Sequence, residues 1–163
     1  MSMANSAATS RWDQRFIELA DTISGWSDDP ATKVGAVLVG LGNEVIAVGY
    51  NGLPRGLADQ SNLRLTAPEK YTWIEHAERN AIFAAARLGV ATLNSRMYLS
   101  WYPCADCARA IVQAGIAELI AREPDWHSDR WGVSFQQALA FLTEAGVGVR
   151  YMNVAQNPNR KAS

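Results

Sequence analysis

Along the chain, apolar residues first recur at helical spacing. Trp12, Phe16, Leu19, Ala20 and Ile23 share one face of a helix predicted over about Arg11 to Ser24. Ser10, followed by Asp13, resembles a capping box at its start. Beyond Pro30 the pattern becomes β-type. Val34 to Val39 and Glu44 to Tyr50 are two such runs, and Gly40-Leu41-Gly42-Asn43 between them predicts a hairpin turn and so an antiparallel pair. Gly52 to Glu75 shows no period and reads as a loop, of a length that in compact domains is usually functional or mobile.

Helical spacing returns from about Ile74 to Leu88, with Gly89 as the stop. Ala77, Ala81, Ala84, Ala85 and Leu88 form a small-residue stripe suited to close packing on a sheet. A strand follows at Arg96 to Ser100, then a helix opened by Pro103 and ended by Gly115, then a strand at Ala117 to Ala121. Ser134 and Gln137 have the form of a capping box for a further helix ending at Gly146, before a last strand at Val147 to Met152. Strands alternating with helices imply parallel pairing through right-handed crossovers. The expectation is an α/β fold with a five-stranded mixed sheet and helices on both faces.

No internal repeat or domain boundary interrupts this order. The 163 residues suffice for one domain with a substantial core. Residues 1–10, rich in Ser, Ala and Asn without an apolar run, read as a disordered tail rather than a signal peptide. Residues 11–152 read as the single domain and 153–163 as a second tail. Composition is ordinary for a globular protein, at 48% hydrophobic and 19% charged. Fifteen basic residues against 16 acidic leave a formal charge of −1, which offers no global attraction for a nucleic acid, though a local patch suffices for one phosphate. No run approaches the roughly eighteen apolar residues of a membrane span. With no export signal visible, the expected compartment is the reducing cytoplasm.

In that setting the two cysteines, Cys104 and Cys107, point to metal or redox work rather than a disulfide. His76 supplies a third donor, and zinc takes imidazole nitrogen and thiolate sulfur in a tetrahedron whose fourth position stays open for water in catalytic sites. Cys104 and Cys107 lie three apart at a helix start, where the partial positive charge and free N–H groups favour thiolate. His76 begins the preceding helix, so two helix N-termini could meet on one metal at strand ends. Glu78 stands two residues on. Residues two apart on a helix do not share a face, so His76 and Glu78 reach one site only from the very first turn or by the reach of the longer side chain. A carboxylate beside the metal, without coordinating it, fits a proton shuttle for attack of a zinc-activated hydroxide on a cytosine ring carbon. His76-Ala77-Glu78 with Pro103-Cys104-Ala105-Asp106-Cys107 is the H-x-E and P-C-x-x-C signature of zinc deaminases.

Other residues divide between functional and ordinary readings. Asn51 follows a strand, where Asn is a common turn residue. Arg55, Arg64, Lys70 and Arg130 read as solvated charges, and His127 as a surface histidine, although its loop, Trp126 to Trp131, could close over the site. The six tryptophans suit core or interface positions, while Trp101 and Tyr102, beside the metal motif, are candidates for base contact.

The segments Asp29-Pro30-Ala31-Thr32-Lys33-Val34-Gly35, Gly49-Tyr50-Asn51-Gly52-Leu53-Pro54-Arg55-Gly56, His76-Ala77-Glu78-Arg79-Asn80-Ala81-Ile82 and Gln113-Ala114-Gly115-Ile116 together resemble the deoxycytidylate deaminase family, over roughly Trp12 to Met152. The resemblance implies the cytidine deaminase three-layer α/β/α sandwich and conversion of dCMP and water to dUMP and ammonia. It implies Glu78 as the catalytic residue, and zinc, one per subunit, on His76, Cys104 and Cys107, since no further Cys is to hand for a second. Asn51 would bind substrate near the sugar, with Ala77, Ser100, Trp101, Tyr102 and Pro103 around the base. Lys33, Gly49, Tyr50 and Gly52 would belong to an effector site for dCTP or dTTP, with magnesium at the triphosphate, in a homo-oligomer, dimer or hexamer. Trp101 and the segment Pro124 to Trp131 depart from the better-known members. Two other readings stay open: a deaminase of another base, nucleoside or modified nucleotide (CMP, modified dCMP, guanine, a tRNA adenosine), or a non-catalytic zinc module.

Overall fold

The computed structural model describes residues 3–59 and 63–152, with the side chains of 3–10 left aside; the expected tail at 153–163 lies outside these residues. The chain forms α1 (Met3–Ser24), β1 (Gly35–Val39), β2 (Val45–Tyr50), α2 (Lys70–Trp73), α3 (Ala77–Leu88), β3 (Arg96–Leu99), α4 (Ala105–Gln113), β4 (Glu118–Ala121), α5 (Gly132–Glu144) and β5 (Gly148–Tyr151). The five strands lie in the order β2-β1-β3-β4-β5. β1 is antiparallel to β2 and to β3, while β3/β4 and β4/β5 are parallel, as hairpin and crossover reasoning expected.

Alternate residues of the central strands serve opposite faces. Val37, Val39, Tyr98 and Ile120 pack with Phe16, Ile17 and Ala20 of α1. Ala36, Leu38, Met97, Leu99, Leu119 and Ala121 face α3, α4 and α5, where Ala81, Ala85, Ile111, Phe135 and Leu142 complete the main core. All of β1 is buried, because both its faces are covered. Each fully buried aliphatic side chain stabilises the fold by about 1.5–3 kcal/mol. The result is the three-layer α/β/α sandwich. Among the described residues no helix is long and apolar enough to cross a membrane.

Several boundaries differ from the sequence pattern. α1 begins at Met3 rather than near Arg11, taking residues 3–10 into the helix; Ala-rich sequence there favours it. Residues 10 and 13 therefore lie inside α1 rather than at its start. Asp13 is instead buried, accepting from the Tyr98 hydroxyl at 2.7 Å and pairing with Arg150. Ser134 does not cap its own helix either: its Oγ accepts the Ala105 N–H at 3.0 Å, satisfying a free donor at the start of α4. In α3 the buried stripe is Ala77, Ala81 and Ala85, and Leu88 is exposed at the helix end. The long loop holds the four-residue helix α2, and its end is pinned where Gly52 and Glu75 exchange backbone hydrogen bonds.

Gly49 decides how closely β2 approaches α3. A Cβ there would collide with the Ala77 carbonyl oxygen and the Ala81 nitrogen, both backbone atoms that cannot swing aside. Gly49→Ala is expected to cost about 2–3 kcal/mol through overpacking. A thermal melt should show the midpoint falling by about 5–10 °C; an unchanged midpoint would mean the strand and helix separate without cost.

Candidate active site

His76 is the N-cap of α3, with extended backbone (φ −77°, ψ 153°), and Cys104 is the N-cap of α4 (φ −72°, ψ 169°). The spacing difficulty between His76 and Glu78 disappears with this geometry. His76 precedes the helix, so the 100° step between helical residues does not apply to it, while Glu78 stands in the first turn. Cys107, in the first turn of α4, turns back to the same point.

His76 Nδ1 lies 3.6 Å from Cys104 Sγ and 3.3 Å from Cys107 Sγ. All three donor atoms fall within 4.8 Å of one another. Tetrahedral zinc, with ligands at about 2.1–2.3 Å, sets its donors about 3.6 Å apart, so the constellation fits zinc. Glu78 is buried beside these donors without belonging to the converging set. Burial pushes its carboxyl up to about 7. The hydrogen bond to Cys107, with the nearby His76, lowers the Cys104 thiol to about 4; the same hydrogen bond, with burial, pushes the Cys107 thiol up. Hydrogen bonding to Cys104 raises His76 to about 9 against the opposing effect of burial. Thiols and imidazole ligate a metal only after losing their protons, so metal binding at these three donors releases protons.

The two helix ends are braced together. Glu75 accepts from the His76 N–H at 3.0 Å and from Arg79 Nε at 2.9 Å. Arg79 also reaches Asp106 of α4 at 3.1 Å. Asn80 Nδ2 donates to the Tyr50 carbonyl at 2.8 Å, fixing α3 to the end of β2. The functional reading did not use Glu75, Arg79 or Asp106, although all three flank the metal motif.

A cleft of about 690 Å³, counting its open mouth, extends from His76, Ala77, Glu78 and Cys104. Val34, Ile74, Trp101, Tyr102, Trp131 and Phe135 supply apolar wall, and Asp29, Thr32, Asn51, Lys70, Tyr71 and Arg130 polar wall. Asn51 stands in the wall, but its Oδ1 accepts from the Val34 N–H at 2.8 Å and its Nδ2 donates to the Thr32 carbonyl at 2.8 Å, so it also shapes the loop before β1. Ser100 and Pro103 are not among the lining residues; Ser100 Oγ accepts the Gly35 N–H at 2.9 Å. Lys33, Gly49, Tyr50 and Gly52 do not line the cleft. Lys33 donates to the Ser27 carbonyl, Tyr50 meets Trp26 edge-on at 6.0 Å, and Gly52 pairs with Glu75. His127 is exposed, as expected.

Lys70, read as a solvated charge, proves otherwise, while Arg130 is exposed as expected and stands at the cleft. Lys70 is 8% exposed and its Nζ donates to both Asp29 oxygens, at 3.1 and 2.9 Å. Arg130 lines the cleft. Neither stands at a motif spacing; contacts distant in sequence place them.

An α/β/α sandwich in which imidazole and two thiols meet at two helix N-termini, with a buried carboxyl alongside, defines a zinc-dependent hydrolase site. The chain belongs to the family of the cytidine and deoxycytidylate deaminase zinc-binding region, which it matches over residues 10–123. It is 37% identical to a deoxycytidylate deaminase of Pongo abelii over 166 residues, 92% of this chain and 91% of the relative. It is 35% identical over 145 residues to an uncharacterised deaminase from the luxG 3′ region of Aliivibrio fischeri, covering 88% of this chain and 95% of that one. Among solved structures, the dCMP deaminase of cyanophage S-TIM5 in complex with dCMP and dUMP superposes with a TM-score of 0.67 at 26% identity, over 93% of this chain and 99% of that one.

Proposed function

We propose that this protein hydrolyses dCMP to dUMP and ammonia, with His76, Cys104 and Cys107 holding zinc and Glu78 moving the protons. The observation that carries the reading is the single cleft that joins the three-donor site and the buried Glu78 to apolar walls and a cationic rim. Zinc in this site would supply the Lewis acidity that makes water a nucleophile near neutral pH. Glu78 takes the proton that the water loses and passes it to the ring nitrogen beside the reacting carbon; it then takes the second water-derived proton, from the hydroxyl on that carbon as the carbonyl forms, and gives it to the departing amine as the C–N bond breaks. Burial beside the donors favours the protonated carboxyl, which suits a group that must both take and return a proton. Val34, Trp101, Tyr102 and Phe135 form the dry wall that a cytosine ring requires. Asn51 keeps the Thr32–Val34 backbone in place.

The related phage enzyme was crystallised with dCMP and dUMP, which supports the monophosphate over the free base or nucleoside. A closed structural zinc site needs a fourth protein ligand. Among the described residues the cluster has three, and the exposed His127 is not one of them. Homo-oligomerisation and control by dCTP or dTTP stay in the proposal on the resemblance alone. Among the described residues the metal-ligating cluster found is His76, Cys104 and Cys107, and magnesium is not part of the proposal.

Ammonia release from dCMP, CMP, deoxycytidine, dCTP and dAMP, each with and without added dCTP, tests the assignment. The zinc-loaded enzyme is expected to show its highest kcat/KM on dCMP. No turnover of dCMP, or a preference for another of the five, would overturn it.

A further inference from the structure

Two cations line the cleft, and their surroundings differ. Lys70 is buried and its charge is met by Asp29, whose Oδ1 also accepts the N–H groups of Ala31 and Thr32. This pair is internally neutral and serves to hold α2 against the loop before β1. Arg130 is exposed at the rim, and among the described residues no carboxylate lies within salt-bridge distance of it. Its guanidinium is held all the same. It packs against the Tyr71 ring at 4.8 Å and the Trp131 ring at 5.1 Å, and Nη2 donates to the Tyr71 hydroxyl. Aromatic contact covers the faces of a guanidinium and leaves donors along its edge. The group is thus oriented before any ligand arrives, which reduces the ordering cost of binding. It also bridges α2 and the loop before α5 across the cleft mouth, and both Arg130 and Trp131 lie beyond the stretch that matches the family, residues 10–123.

We infer that Arg130, oriented by Tyr71 and Trp131, is the specificity-determining residue that takes the 5′-phosphate of the substrate. This rests on the dCMP reading. A planar fork of N–H donors matches phosphate oxygens in a bidentate way. A pyrimidine ring against Glu78 and the zinc ligands directs the phosphate of the same molecule towards the mouth, where Arg130 stands and where the other lining cation is already neutralised. Tyr71 is a positioning residue in this arrangement.

The test compares dCMP with deoxycytidine on the zinc-loaded parent, Arg130→Ala, Arg130→Lys and Tyr71→Phe. Loss of a charge-assisted bidentate contact is expected to lower the ratio of kcat/KM for dCMP over deoxycytidine by about tenfold to a hundredfold in Arg130→Ala. The loss should appear in KM for dCMP, because the contact is made equally in the ground and transition states. Arg130→Lys, which keeps the charge without the fork, should fall between, and Tyr71→Phe should lower the ratio less. An unchanged ratio, or an equal fall for both substrates, overturns the assignment. If the parent deaminates neither compound, the functional reading fails by itself. Calorimetric titration of parent and Arg130→Ala with dCMP and with deoxycytidine then decides separately: a dCMP preference lost in the variant sustains the phosphate site, and an identical preference removes it.

Discussion

Glu78→Gln is expected to keep its fold and its zinc while kcat on dCMP falls by about a hundredfold to ten-thousandfold, the usual contribution of a positioned acid–base group. The substitution is nearly isosteric and removes one property, the ability to accept and return a proton. The side chain is 4% exposed, so bulk water has little access to replace it as a shuttle. Stability should not suffer, because a neutral amide is easier to bury than a carboxylate held among thiols. Ammonia release measured beside zinc per chain checks both halves of the expectation. A variant within threefold of the parent would show that Glu78 is a first-turn acid and that protons move by another route. Loss of zinc with loss of activity would instead place Glu78 in the support of the metal.

Removing zinc with a chelator is expected to abolish turnover and to lower the melting midpoint by about 10 °C. Binding at a thousandfold excess over Kd contributes about 4 kcal/mol to the folded state, and each kcal/mol moves the midpoint of a chain of this size by about 2–4 °C. The site is made of two helix N-termini, α3 and α4, tied to each other by the Arg79–Asp106 pair at 3.1 Å. That pair is partly exposed and contributes modestly, so the metal is the stronger link. One equivalent of zinc should restore both activity and midpoint. Lowering the pH should imitate the chelator, because thiols and imidazole ligate only after losing their protons. Full activity without zinc would refute the mechanism, and an unchanged midpoint would show that the two helix ends are held without it.

What the sequence determined by itself is the local and the covalently spaced. The two short β-type runs and the turn at residues 40–43 between them predicted the hairpin, and strands alternating with helices predicted the parallel half of the sheet, because run length and connection length are local properties. His76, Glu78, Cys104 and Cys107 were visible for a similar reason: zinc needs particular atoms, and two short motifs supply them at helix starts. The tertiary structure decided the partnerships between distant residues. Asp29 finds Lys70 41 positions away, and Arg130 finds Tyr71 59 away. Ser134 caps α4 rather than its own helix, and Asp13 meets Tyr98 and Arg150 instead of starting α1. No spacing encodes such pairs, because a side chain's partner across the fold depends on how sheets and helices stack, and a charge that looks solvated in the sequence becomes buried or aimed only once those layers close around it. The metal-ligating donors were therefore legible in the sequence, while the walls and the rim of the cleft belong to the packing.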